Sequence, residues 1–332
     1  MEVTKYNHNF AAHCETGVTS SLFENKGMEL SEAMSLGIGS GLFFLYVPFI
    51  KVMGNPITSY RSFPGTIFKK CCKRLKVKFR AERFRNSIKG SKRLDQLLKN
   101  KVVLGIQTNI YWLSYIPKNF RFHFNAHNLI VVKKEEDGYL VSDPLLEEVS
   151  HCSESSMTKA RFSKGPLAPK GLVYYIDGEN SISQVEQAVY QGIKETVRRM
   201  LYSPVPIVGI AGMKLLSRSI RKWPKKLDER RARLYLSNVI RMQEEIGTGG
   251  AGFRYIYAGF LNESSKKLNN PILLEASEMM EAIADEWRVF ATMAVKVCKN
   301  KGSVTFDQVA DKLLEIAEQE KSFYQFLNKR YL

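Results

Sequence analysis

Apolar residues recur at helical spacing through most of the second half of the chain. SISQVEQAVYQGIKETVRRML, residues 181–201, has Ser181 as an N-cap ahead of a three- and four-residue apolar rhythm. Segments 227–246, 273–299 and 305–328 repeat that character. The first half is mixed. Glu15 to Leu22 reads as a helix start, Leu30 to Tyr46 as a helix interrupted by glycine, and Lys92 to Asn100 as a short amphipathic helix. Strand patterns follow at Val102–Gln107, at Asn128–Lys133 and at Leu172–Ile176. NLIVVKKEEDGYLVSDP reads as a β-hairpin turning at EEDG (135–138), with Tyr139–Ser142 as its second strand. His127 stands immediately before it and Asp143 at its end. The polar, Ser-rich stretch 150–170 reads as a loop or lid. The pattern predicts an α+β protein, with a mixed domain over 1–178 and a mostly helical domain over 179–332.

Composition narrows the class. At 332 residues, 44% hydrophobic and 25% charged, the chain has the make-up of a soluble globular protein. Five cysteines, two of them adjacent at Cys71 and Cys72, do not form a disulfide framework and suit a reducing cytoplasm. The N-terminus lacks the apolar core of a signal peptide. The most apolar run, Ala33 to Ile50, carries three glycines, two serines and a proline. It falls short of the roughly 20 residues of a membrane span and reads as a buried helix under an active site.

Charge adds a second theme. The net charge is +17. Between Lys69 and Lys101, fourteen Lys/Arg face only Glu82 and Asp95, a net of +12; between Lys214 and Arg233, nine face Asp228 and Glu229, a net of +7. Two basic patches on an otherwise slightly acidic chain suggest docking to something acidic, whether a carrier protein, an anionic membrane or a nucleic acid. Solvated helix faces are the plain alternative.

The candidate chemistry centres on Cys14. A thiol is a poor nucleophile until a histidine takes its proton, and a third polar group orients that histidine. Papain-like enzymes place the cysteine at a helix N-terminus, where the dipole favours thiolate, the histidine at a strand start, and the orienting residue on the next strand. Cys14, His127 and Asp143 occur in that order, and a hairpin sets its two ends side by side. The structural alternative stays open, because free cysteines are often simply buried. His13 lines the pocket or serves structure. Asn7, His8 or Asn9 could join the Cys14 N–H in stabilising an oxyanion. Neither Cys71-Cys72 nor the His123/His127 pair has the spacing of a metal site. GTGGAGFRYIYAGFL (247–261) is not a phosphate-binding loop; Arg254, Tyr255 and Tyr257 face a phosphate or carboxylate, or else the segment is a Gly-rich helix start.

Several segments together resemble a known family. HCET at 13–16, LSEAMSLGIGSGLFFLY at 30–46, HNLIVV at 127–132 and VSDP at 141–144 resemble the butirosin biosynthesis protein H N-terminal domain family. GIAGMKLLSRSIRKW at 209–223 and GTGGAGFRYIYAGFL resemble the helical domain that commonly follows it. The resemblance implies a papain-like fold and an acyltransferase that takes an acyl group from the phosphopantetheine thioester of an acyl carrier protein to an amine. It implies Cys14 as nucleophile, His127 as base, Asp143 as orienter and Glu32 as a residue near the site. No tightly bound cofactor is expected; the carrier's phosphopantetheine thioester is the donor. The expected partners are an acidic acyl carrier protein and a small-molecule amine or hydroxyl acceptor. Nucleic acid is not expected, and a peripheral membrane contact stays open. The rival readings are a cysteine peptidase or amidase on the same scaffold, and a non-enzymatic basic binding module.

Overall fold

The computed structural model describes residues 6–332. In chain order the elements begin with α1 (Cys14–Glu24), α2 (Glu32–Ile38), β1 (Leu42–Val52), β2 (Asn55–Arg61), α3 (Ile67–Arg74), β3 (Phe79–Glu82) and α4 (Ser87–Lys99). They continue through β4 (Leu104–Thr108), β5 (His127–Lys134), β6 (Gly138–Ser142), β7 (Ser150–Ser153), α5 (Glu154–Arg161) and β8 (Val173–Ile176). Six helices complete the chain: α6 (Val185–Leu201), α7 (Gly209–Lys226), α8 (Glu229–Glu244), α9 (Arg254–Leu268), α10 (Pro271–Cys298) and α11 (Phe306–Arg330). No helix of the described residues is long and apolar enough to cross a membrane.

Two compact units result. The first comprises the chain up to Ser35 together with Pro64–Val185; the second comprises Leu36–Phe63 and Glu186–Leu332. Where sequence suggested a simple division at 178/179, residues 36–63 leave the N-terminal part and fold with the helices.

The first unit is an α+β layer structure. Its six strands form one antiparallel sheet in the order β3-β8-β4-β5-β6-β7. Leu104, Ile106, Leu129, Val131, Val141 and Val173 alternate onto one face and bury against Leu94 and Leu97 of α4 and Met157 and Ala160 of α5. The intervening positions, among them Asn128 and Tyr174, point the other way, toward α1, which packs on β4, β5 and β8. Residues 150–170, read as a loop, contain β7 and α5. Only the side of α5 bearing Met157 and Ala160 is apolar, and Ser153 caps it by accepting from the Ser156 N–H at 3.3 Å.

The glycine-interrupted helix expected over 30–46 ends at Ile38. Gly37, Gly39 and Gly41 weaken helix propagation there, and Ser40 takes a left-handed φ of 49°. The run LFFLYV that follows is aromatic and alternately buried, and becomes β1. It pairs antiparallel with β2 across the two-residue turn Met53-Gly54, both residues with positive φ (51° and 81°), as a tight primed hairpin turn requires. The apolar stretch 33–50 is therefore a short helix and a strand, not one buried helix.

The second unit packs this hairpin against α7 and α8 and builds its core among α7, α9, α10 and α11. At its centre Arg254 is fully buried. Its Nε and Nη2 donate to the two oxygens of Glu320 at 2.9 and 3.1 Å, and its Nη1 donates to the Gly252 carbonyl at 2.7 Å. Trp287 Nε1 donates to the same carboxylate at 2.7 Å, and its ring lies 5.0 Å from the guanidinium. Removing one partner of a buried, hydrogen-bonded pair leaves an uncompensated charge. Glu320→Ala is therefore expected to cost about 3–5 kcal/mol of stability. Replacing both residues by Met and Leu of similar volume should cost less than the single change. Chemical denaturation of the three proteins checks this, and a single variant as stable as the parent would refute it.

Candidate functional site

The site is built inside the first unit from α1, the β5–β6 hairpin and the loop before it. His13 ends the N-terminal segment in an extended conformation (φ −134°, ψ 132°) and caps α1, its Nδ1 accepting from the Thr16 N–H at 3.3 Å. Cys14 is the first helical residue, so the helix dipole favours negative charge on its sulfur. Glu32 holds this entrance. Its carboxylate accepts from the Ala12 N–H at 3.0 Å, the His13 N–H at 2.8 Å and the Thr16 hydroxyl at 2.8 Å. Glu15, also buried, accepts from the Gly65 and Ile67 N–H groups at 3.0 and 2.9 Å and so ties α1 to the start of α3.

Gly17 lets α1 lie close to the other wall. A Cβ there would come within 2.6 Å of the Ala11 Cβ and 2.8 Å of the Pro144 Cβ. Pro144 follows Asp143, and its carbonyl accepts from the Ala11 N–H at 2.7 Å. A residue larger than glycine would push apart the segments carrying Cys14 and Asp143.

The hairpin does what its sequence pattern suggests. His127 opens β5, Asp143 follows β6, and His127 Nε2 lies 2.6 Å from Asp143 Oδ2. Both side chains are buried, at 2% and 1% exposure. With Nε2 held by the carboxylate, Nδ1 is the ring atom left for the hydrogen bond to Cys14. Asp143 is itself fixed, by the Tyr115 hydroxyl donating to Oδ2 at 2.9 Å and the Leu145 N–H donating to Oδ1 at 3.1 Å.

The electrostatics favour a charged pair. Burial is the largest influence on His127 and pulls its pKa down; the charge and hydrogen bond of Asp143, with the hydrogen bond and charge of Cys14, outweigh it and push the value up to about 10. Burial likewise pulls Asp143 up, but the His127 charge and the hydrogen bonds it accepts hold its carboxyl below the usual range. The linkage to stability has opposite signs. The His127 contribution is fully present below its ordinary 6.5 and is lost as pH rises through about 10; the Asp143 contribution is present above its ordinary 3.8 and is lost as pH falls. Across neutral pH this favours an imidazolium between a carboxylate and a sulfur at a helix N-terminus, an arrangement that lowers the cost of ionising a thiol.

The other sequence candidates fall differently. Asn7 and Asn9 donate to the Glu24 carboxylate. His8 Nε2 lies 2.9 Å from the Leu146 carbonyl, so its Nδ1 accepts from the Ser142 hydroxyl at 2.7 Å. These groups bind the N-terminal segment to α1 and to the strand leading into Asp143 and are not aimed at an oxyanion. Arg254 does not face a ligand. All its hydrogen-bonding nitrogens are taken within the second unit's core, because a charge at zero exposure is tolerated only when fully paired. Tyr255, also in the second unit, donates to Asp285 at 2.6 Å. Cys71 and Cys72 are buried in α3, where burial raises both thiols; Cys71 reaches about 12. Among the described residues no group of three or more His, Cys, Asp and Glu could hold a metal ion.

Two neighbours were not visible in the sequence. Asn128 directs Nδ2 at Cys14 Sγ, 3.9 Å away, and at the Ala126 carbonyl at 3.0 Å, while its Oδ1 accepts from the Tyr174 hydroxyl at 2.8 Å. Gly105 makes this possible: the Tyr174 ring lies where a Cβ would stand, 2.4 Å from its nearest atom. Tyr115 is the second. It sits in an irregular loop whose apolar and polar residues follow no period.

A family model described as Butirosin biosynthesis protein H, N-terminal, matches residues 13–144, from the residue before Cys14 to the residue after Asp143. A model described as Domain of unknown function (DUF4872) matches residues 155–327, more than half of the chain. The chain belongs to the DUF4872 family. Among solved structures, a chain described as a C39-like peptidase from Bacillus anthracis matches at 12% sequence identity with a TM-score of 0.37, covering 54% of this chain and 98% of that one. None of the curated proteins matches in sequence. The matched region 13–144 holds the cysteine at a helix N-terminus and the histidine and aspartate at the ends of two paired strands.

Glu32 bonds the backbone that leads into Cys14. In Glu32→Gln an amide nitrogen must replace one carboxylate oxygen, so one backbone N–H of 12–13 or the Thr16 hydroxyl loses its acceptor. Loss of a charge-assisted hydrogen bond of this kind should lower kcat about tenfold or more, with KM little changed. Steady-state kinetics on a folded variant check this, and an unchanged kcat would remove Glu32 from the site's machinery.

Proposed function

We propose that the protein transfers an acyl group from an acyl carrier protein thioester, through an acyl-Cys14 intermediate, to an amine or hydroxyl acceptor. The buried Cys14–His127–Asp143 array, inside the region that matches the butirosin biosynthesis protein H N-terminal model, supports this reading. The Cys14 thiolate attacks the thioester carbon. The tetrahedral oxyanion forms beside the Cys14 N–H at the start of α1, and Asn128 Nδ2 is a further donor within reach of the sulfur. Collapse expels the phosphopantetheine thiolate, which takes the proton held by His127. The acceptor then attacks the acyl-cysteine, His127 removes its proton, and Cys14 leaves as the thiolate.

A thioester donor suits this chemistry because exchange of one thioester for another is close to balanced, while amide formation in the second half is downhill. The net positive segment Lys69–Lys101, on α3, β3 and α4, supports an acidic carrier as donor, since such a surface raises the encounter rate.

Incubation with an acyl-carrier thioester, then with an amine, tests the reading by intact mass. The expected result is a carrier-dependent acyl adduct on the protein that is discharged by the amine faster than by water. Hydrolysis of peptide or amide substrates with no acylation by thioesters would instead establish the peptidase or amidase alternative.

A further inference from the structure

The tip of the β1–β2 hairpin exposes four large apolar side chains in sequence: Phe49 at 72%, Ile50 at 51%, Val52 at 54% and Met53 at 86%. They run along the end of β1 into a two-residue turn, so the surface is a protrusion and not a groove. The rest of the hairpin is packed: Tyr46 is 1% exposed and Tyr60 is 2% exposed. The exposure is therefore confined to the tip.

Cations stand on the tip and on the two helices that the hairpin packs against. Lys51 places its ammonium 5.8 Å from the Tyr235 ring of α8, and Tyr235 stacks edge-on with Trp223 of α7 at 5.6 Å. The hairpin end thus lies where α7 finishes and α8 begins, the stretch the sequence marks as a basic patch. Ion pairs in this region take Arg221 with Asp307 and Asp311, and Arg233 with Glu229. They leave Lys222, Lys225, Lys226, Arg230 and Arg231 exposed, with Asp228 as the remaining acid. Leu234, one turn from Arg230 and Arg231, adds another exposed apolar side chain at 53%.

From this juxtaposition we infer that the second unit docks on an anionic lipid surface, with the hairpin tip inserted among the headgroups and the α7–α8 cations against them. Charge complementarity selects an acidic partner, and shape selects a membrane. A convex tip offers too little area for a stable protein interface, whereas a few apolar side chains and a cationic collar are the two signals that peripheral attachment combines. The inference does not depend on the chemistry of Cys14.

Sedimentation of the full chain with phosphatidylcholine vesicles, with and without about 30% phosphatidylserine, tests it. The parent should sediment with the anionic vesicles only, and less as salt is raised. Phe49→Ser/Met53→Ser, both exposed, should lower partitioning at least about tenfold, and Lys225→Glu/Arg230→Glu should do the same. No sedimentation of the parent, or sedimentation unchanged by the tip substitutions, would overturn the proposal. So would absence of vesicle binding with tip substitutions that abolish self-association, which would assign the tip to a second copy, or abolish binding of an acidic carrier protein, which would assign it to that carrier.

Discussion

Cys14→Ala should abolish acyl-enzyme formation and lower the rate of acyl transfer by about a millionfold, the order seen when a nucleophile working as a unit with its base is removed. The substitution removes the attacking atom and leaves the His127–Asp143 pair, the α1 cap and the Glu32 contacts in place. A folded, inactive protein is therefore the expected product. Intact mass spectrometry gives the direct reading: the parent gains the mass of one acyl group from a thioester donor, and the variant gains none. Cys71, Cys72 and Cys152 are internal controls, because burial raises each of these thiols well above its ordinary value. An adduct that persists in Cys14→Ala, or transfer activity within about tenfold of the parent, would remove Cys14 from the mechanism.

Asp143→Ala is the second large effect, a loss on the order of ten-thousandfold in kcat. Its carboxylate orients the His127 ring through the 2.6 Å contact and opposes the downward pull of burial on the imidazolium. Without it the imidazole loses both its orientation and much of its proton affinity. Asp143→Asn separates the two roles. The amide oxygen can still accept from His127 Nε2–H, so the rate loss should be smaller than for alanine. The negative charge is gone, so His127 should titrate well below 10, and the alkaline limb of kcat/KM should move down in both variants. The sign follows from the active form, which needs imidazolium beside thiolate. An alkaline limb that stays near pH 10 in Asp143→Asn would show that the charge of Asp143 does not support the pair. Because Tyr115 and the Leu145 N–H also lose their acceptor in the alanine variant, its kinetics should be read at a temperature where it remains folded.

Local patterns made a large part of the structure legible. The β-branched run after His127, the EEDG turn and the strand before Asp143 specify a hairpin by period and turn chemistry, which depend only on residues near in sequence. The helices of the second half follow from their apolar spacing for the same reason. Cys14 before small, helix-compatible residues marked a helix start, and the order of cysteine, histidine and aspartate marked a candidate site.

What sequence alone left undecided rested on contacts between distant segments. The run 42–52 is apolar enough for either a buried helix or a strand, and pairing with β2 decides it. Arg254 looked like a ligand-facing cation because nothing nearby in sequence neutralises it; Glu320, 66 positions away, does so only after folding. Asn128 and Tyr115 carry no sequence signal. One reaches the sulfur because sheet alternation turns it toward α1, and the other reaches Asp143 from an aperiodic loop. By itself the sequence determined the helical character of the second half, the β5–β6 hairpin and the three candidate residues of the site. Tertiary structure decided the protonation of His127, since a carboxylate 2.6 Å away, set there by folding, outweighs the downward pull of burial and favours the charged ring beside Cys14.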